Sequence, residues 1–94
     1  MDFKLSKARV KGKKYTAEFA DGKKIHFGAS GYEDYTTHKD KSRQMRYLNR
    51  HRKRENWSDI KTAGALSRWL LWNKPSLEES INDAERRFKI NITR

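Results

Sequence analysis

An α+β domain, with an N-terminal antiparallel β-hairpin or three-strand meander followed by three helices, is predicted by three observations. Apolar and polar residues alternate around an Asp-Gly pair in the first third of the chain. Apolar residues at helical spacing take over after residue 40. The only proline, Pro75, falls between the last two helical stripes.

The elements follow in order. Tyr15, Ala17 and Phe19 alternate with polar neighbours, as do Ile25 and Phe27, with Ala20-Asp21-Gly22-Lys23 between them. A period of two puts one set of side chains on one face of a sheet. Asp-Gly favours a type I′ hairpin turn, whose central residues need positive φ. Phe3 to Val10 supplies a further strand, with Lys11-Gly12-Lys13-Lys14 as its turn, so a meander occupies residues 1–28. Residues 29–39 show neither periodicity and read as an ordered loop pinned by tyrosines.

A first helix is expected over 40–54, with Asp40 as N-cap and with Met45 and Leu48 facing the core. A second is expected over 62–72, burying Leu66, Trp69 and Leu70, joined by Trp72 and Ala63. Asn73 and Pro75 end it, because proline cannot continue a helix and restrains the residue before it. A third spans 76–89. Ser76 and Glu79 have the spacing of a capping box, and Leu77, Ile81, Ala84 and Phe88 form one stripe. Glu78 and Glu79 then lie at its positive end and Arg86, Arg87 and Lys89 at its negative end, as the helix dipole prefers. No repeat or linker divides the chain, so 1–94 is one domain. The expected core is Phe19, Phe27, Leu48, Trp57, Leu66, Trp69, Leu70, Trp72, Leu77, Ile81 and Phe88.

Composition narrows the function. A 34% apolar share and a mean hydropathy of −1.19 leave little surface to offset chain entropy, but eleven aromatics can anchor a thin core. The formal charge of +11 favours acidic partners: nucleic acid, an anionic membrane surface or an acidic protein patch. With no cysteine, disulfides and thiolate metal sites are excluded. Met1-Asp2-Phe3-Lys4-Leu5 has no apolar run for a signal peptide, and no stretch is long enough to span a bilayer. A protein of the cell interior, or of a particle assembled there, is expected, not a secreted one.

The charge is uneven. Residues 1–54 carry 16 basic and 6 acidic side chains, whereas 55–94 carry 7 and 6. The densest run, His38 to Arg54, holds Lys39, Lys41, Arg43, Arg46, Arg50, Arg52, Lys53 and Arg54 against the single Asp40. A merely solvated face would mix signs, so these eight are the expected contacts to an acidic partner or to nucleic acid. Arg43, Arg46 and Arg50 share one helical face, and the arginine fork suits bidentate contact with phosphate or carboxylate. The lysines at 11, 13, 14, 23 and 24 sit at hairpin turns and read as gatekeepers against edge-to-edge sheet pairing.

Catalysis finds no support in the residues. His26, His38 and His51 are too far apart to form a metal-ligand pair on adjacent helical turns. A nuclease built on His38, Asn49 and His51, with Asp40 or Glu55 as ligand, lacks compact site spacing. Glu33 and Asp34 are adjacent, and neighbouring side chains rarely converge on one site. No phosphate-cradling glycine loop and no activated nucleophile is present. No metal, cofactor or small-molecule substrate is expected. Trp57, Trp69 and Trp72 are read as core rather than as base-stacking platforms.

Several segments carry a resemblance. Tyr32-Glu33-Asp34-Tyr35-Thr36, His38-Lys39-Asp40, Arg50-His51, Glu55-Asn56-Trp57, Thr62-Ala63-Gly64 and the run Ser67 to Pro75 together resemble a small uncharacterised family encoded by nucleocytoplasmic large double-stranded DNA viruses. The resemblance implies a small basic component of a virus particle, found in the virion and the host-cell interior, with no catalytic residue to carry over. Two acidic partners suit that setting, carboxylate-bearing faces of capsid proteins and the packaged genome. The leading expectation is a minor capsid or cement protein that binds acidic protein surfaces. A nucleic-acid-binding protein that neutralises or packages DNA is the alternative, and a metal-dependent nuclease a remote third.

Overall fold

The structure, a computed structural model, describes residues 2–94. The fold is α+β. Strands β1 (Phe3–Lys7), β2 (Lys13–Phe19) and β3 (Lys24–Ala29) form the antiparallel meander. Helices α1 (Tyr35–His38), α2 (Lys41–His51), α3 (Ala63–Leu70) and α4 (Leu77–Phe88) follow, and a short β4 (Ile92–Thr93) closes the chain. The sheet order is β3-β2-β1-β4, with β4 parallel to β1.

Alternation in the meander faces Phe3, Leu5, Ala17, Phe19 and Phe27 to the core, where they meet Leu66, Leu70 and Leu71 of α3 and its exit, and Ile81 and Ala84 of α4. Ile60, Ile90 and Ile92 complete this cluster. Trp69, Trp72, Leu77 and Phe88 pack against it half-buried, and Leu48 is buried on α2. Trp57 departs from expectation. It lies outside the cluster, held by its indole N–H, which donates to Glu55 Oε1 at 2.8 Å.

The hairpin turn also differs. Phe19 N–H bonds to the Lys23 carbonyl at 2.9 Å, leaving a three-residue loop in which Gly22 has φ of +91° and Asp21 does not have positive φ. Three-residue loops put one glycine in the left-handed region after an ordinary turn, so a type I′ pair is not needed. Gly28 has φ of +80°, and a Cβ there would come within 2.9 Å of Leu71 Cδ1. This glycine lets α3's exit close onto β3.

The region 29–39 contains α1. Asp34 caps it with a full capping box, accepting from Thr36 N–H at 2.9 Å while its own N–H donates to Thr37 Oγ1 at 3.0 Å. At α4, Ser76 Oγ accepts from Glu79 N–H at 3.1 Å, but the reverse bond to the Glu79 side chain is not formed. The three predicted helices are each a little shorter than expected, since Asp40, Thr62 and Ser76 cap from outside and Arg52 to Arg54 form turns.

Met45 and Ala63, like Trp57, are not in the core. Met45 is 49% exposed, and the buried side of α2 is Gln44, Tyr47 and Leu48. Gln44 wins that position because its amide donates to the Trp72 and Asn73 carbonyls, each at 2.9 Å. Carbonyls just past the end of a helix have no intrahelical partner; Arg68 also donates to that of Trp72, and Gln44 reaches both. Ala63 is exposed, and Ala65 takes its place in the core.

Candidate functional site

An open cleft of about 620 Å³ lies between α2 and the neighbouring parts of β2 and β3. One wall carries Arg43, Arg46 and Arg50, and Lys13 and Lys14 line it from β2. Phe27, Gly28, Leu71 and Trp72 contribute apolar surface, and Tyr32 stands on the loop before α1. The Arg43, Arg46 and Arg50 positions follow helical spacing beside the buried Gln44, Tyr47 and Leu48, so anchoring those neighbours leaves all three arginines along the cleft.

A ladder of rings does that fixing. Tyr47 stacks on Trp72 at 4.2 Å with an interplanar angle of 2°, and on His51 at 4.1 Å. Trp72 in turn meets His38 at 5.3 Å, and His38 meets Tyr35 at 6.2 Å. The ladder joins α1, α2 and the end of α3. Burial, with the Glu55 charge adding, pushes the Tyr47 phenol up to about 12, so it stays protonated and compatible with this apolar stack.

The acidic side chains of the cleft are already engaged. Asp34 Oδ2 lies 2.6 Å from Lys14 Nζ, and Glu33 Oε1 lies 3.4 Å from Arg43 Nη1. Glu55 accepts from the Trp57 indole and lies 3.2 Å from His51 Nδ1. It nests against α3 because position 64 is glycine: a Cβ there would come within 2.7 Å of Glu55 Cδ. Lys13, Arg46 and Arg50 have no ion-pair partner among the described residues. The cleft is therefore cationic after internal pairing, with charge left on both sides of it.

The eight expected contact residues divide. Arg43, Arg46 and Arg50 line the cleft. Lys39 does not; its amine bonds to the Thr36 carbonyl at 3.3 Å and to the Pro75 carbonyl, bracing α1 against the turn before α4. Lys41, Arg52, Lys53 and Arg54 are exposed and lie outside the cleft. Lys13 and Lys14, read as turn gatekeepers, line it instead, as does Tyr32. Spacing along the chain carried no signal for them, since they reach the site through strand pairing.

A second cationic surface covers the sheet. Lys4, Lys7, Arg9 and Lys24 surround Glu18 and the Thr16–His26 pair, whose side chains bond at 2.7 Å. Among the described residues no cluster of three or more His, Asp or Glu side chains is placed to hold a metal, and no helix is long and apolar enough to cross a membrane.

The model of a family of unknown function (DUF5754) matches residues 3–51, from β1 through the end of α2. That segment includes every cation of the cleft. No curated protein and no solved structure matches the chain.

Proposed function

The chain belongs to that family of unknown function, and from its geometry we propose that it is a non-enzymatic binding protein that holds an acidic partner in the arginine-lined cleft. One observation carries this reading. Lys13, Arg46 and Arg50 converge on one concavity from β2 and α2 without carboxylate partners among the described residues. Like charges gathered this way repel one another, and an incoming anion relieves the repulsion while gaining bidentate contacts from the arginines. The concave shape lets a partner contact several cations at once.

The resemblance to viral sequences supports a setting, a minor capsid or cement component of a virus particle. The second cationic surface on the sheet supports that role, because a protein with two such surfaces can bridge two acidic bodies. The acidic body is a capsid-protein face or packaged nucleic acid.

Retention on polyglutamate and on random-sequence nucleic acid, measured across a salt series, tests the cleft. Wild-type protein is expected to bind at least one polyanion with affinity falling steeply with salt. Arg46→Gln/Arg50→Gln should abolish most of that binding. Equal binding by the variant overturns the reading, as does metal-dependent cleavage of the nucleic acid. Mass spectrometry of fractionated particles tests the setting, which fails if the protein is absent from them.

A further inference from the structure

Ten of the eleven aromatic side chains are buried, packed against the core or held by a hydrogen bond. Tyr32 is the exception at 75% exposure. It lies on the cleft, between Ala29 of β3 and the acidic pair Glu33-Asp34, and its backbone N–H is tied to the Ala29 carbonyl at 3.4 Å. An apolar ring on a polar surface gains nothing from folding. Here it stands beside three unpaired cations and offers an open π-face.

Resting on the cleft as an anion site, we propose that its ligand is a short segment of single-stranded nucleic acid. Phosphates lie on Lys13, Arg46 and Arg50, and one base stacks on Tyr32. Cationic grooves with exposed aromatic rings bind single strands because the backbone supplies regular charge and every base has a π-face. An acidic peptide uses the cations but leaves the ring idle. A duplex presents its phosphates on a rigid convex cylinder and meets one wall, whereas a flexible strand enters and meets both. The internal pairing of Glu33, Asp34 and Glu55 lowers the repulsion that these carboxylates would otherwise exert on phosphate.

The test is fluorescence anisotropy of the full chain with a labelled oligothymidine of about ten nucleotides, within the usual site sizes. Three phosphate contacts predict a slope of log affinity on log salt of about −2, at roughly 0.7 per phosphate. Tyr32→Ala should weaken binding about tenfold with the slope unchanged, and Tyr32→Trp should retain it. An abasic strand should bind wild type about tenfold more weakly than oligothymidine. It should bind the Tyr32→Ala variant no differently from oligothymidine. Arg46→Gln/Arg50→Gln should lower the slope by about 1.4. All three positions are exposed, and circular dichroism verifies that each variant is folded.

Oligothymidine affinity indifferent to Tyr32→Ala overturns the inference. So does a duplex that competes as well as the single strand. Arginine-dependent binding of polyglutamate with no binding of oligothymidine overturns the inference and leaves the proposed function standing. Indifference of both polyanions to the arginine substitutions overturns both.

Discussion

Arg68 and Arg87 both lie over the Trp69 ring, each with its guanidinium carbon 4.2 Å from the ring centroid. Arg46 and Arg50, on α2, have neither a ring nor a carboxylate against them among the described residues. Arg68 also lies over Trp57 and donates to the Trp72 carbonyl at 3.2 Å, and Arg87 Nε lies 3.4 Å from Asp83 Oδ2. The same side chain thus serves two ends. Near Trp69 it is packing material whose charge is absorbed by aromatic faces and by Asp83, and along α2 its charge remains available. Pairing, rather than arginine content, separates an arginine that serves packing from one whose charge stays exposed.

Breaking the packed group should have the largest effect. Trp69→Ala removes the ring under two guanidinium groups and the indole bond to the Trp57 carbonyl at 2.7 Å. It should lower stability by about 3 kcal/mol, measured by urea unfolding. A loss under about 1 kcal/mol would mean that the arginines do not depend on the ring.

The Glu55 nest, where the cleft meets α3, should respond next. Gly64→Ala puts a Cβ against the Glu55 carboxylate, which must swing out of its bonds to Trp57 and His51. The gain in helix propensity offsets part of that loss, so the net cost should be about 1 kcal/mol or less. Adding Glu55→Ala to that variant removes the clash but also the bond to Trp57, so the two changes should be non-additive in a double-mutant cycle. Simple additivity would show that the contact is relieved at no cost.

Asp83 sharpens the contrast through pH. Burial pushes its carboxyl up, but the hydrogen bond from Asn73 and the Arg87 charge outweigh burial and leave it below the ordinary carboxylate value. A lowered folded-state value stabilises the protein above the unfolded carboxylate range, and that stability is lost as pH falls through the folded value. Wild type should therefore lose more stability on acidification below about pH 4 than Asp83→Asn, by less than about 1 kcal/mol for a pair partly open to solvent. Identical acid profiles would remove Asp83 from the arginine-neutralising group.

The smallest expected change in stability is at the cleft. Arg46→Gln/Arg50→Gln should leave the unfolding midpoint within the range of about 0.5 kcal/mol typical of exposed sites, or raise it slightly by relieving repulsion. A clear loss of stability would make these arginines structural and erase the comparison.

Local signals in the chain were legible where the physics is local. Asp40 and Ser76 cap α2 and α4 because a short oxygen-bearing side chain before an amphipathic run accepts orphan N–H groups wherever the rest of the chain lies. The stripe Leu77, Ile81, Ala84 and Phe88 faces the core for the same reason. Met45 was misread because hydrophobicity alone ranks it above Gln44, whereas Gln44 caps two carbonyls 28 and 29 positions away. Of the cleft, its α2 wall was legible from the spacing of Arg43, Arg46 and Arg50. Lys13, Tyr32 and the Glu55–Gly64 contact were not, since each depends on a partner brought in by the fold.

By itself the amino-acid sequence determined the α+β class, the meander, the caps of α2 and α4, and the concentration of positive charge before residue 55. These follow from alternation, helical periodicity and composition, which act over a few residues. Tertiary structure alone decided that β4 would pair with β1 from the opposite end of the chain, and that Gly28 would admit Leu71 against β3. It also decided which arginines would be neutralised and which would line a cleft. Strand pairing and helix packing join residues far apart in the chain, and the energy of a charge depends on the partners that such packing brings within a few ångströms.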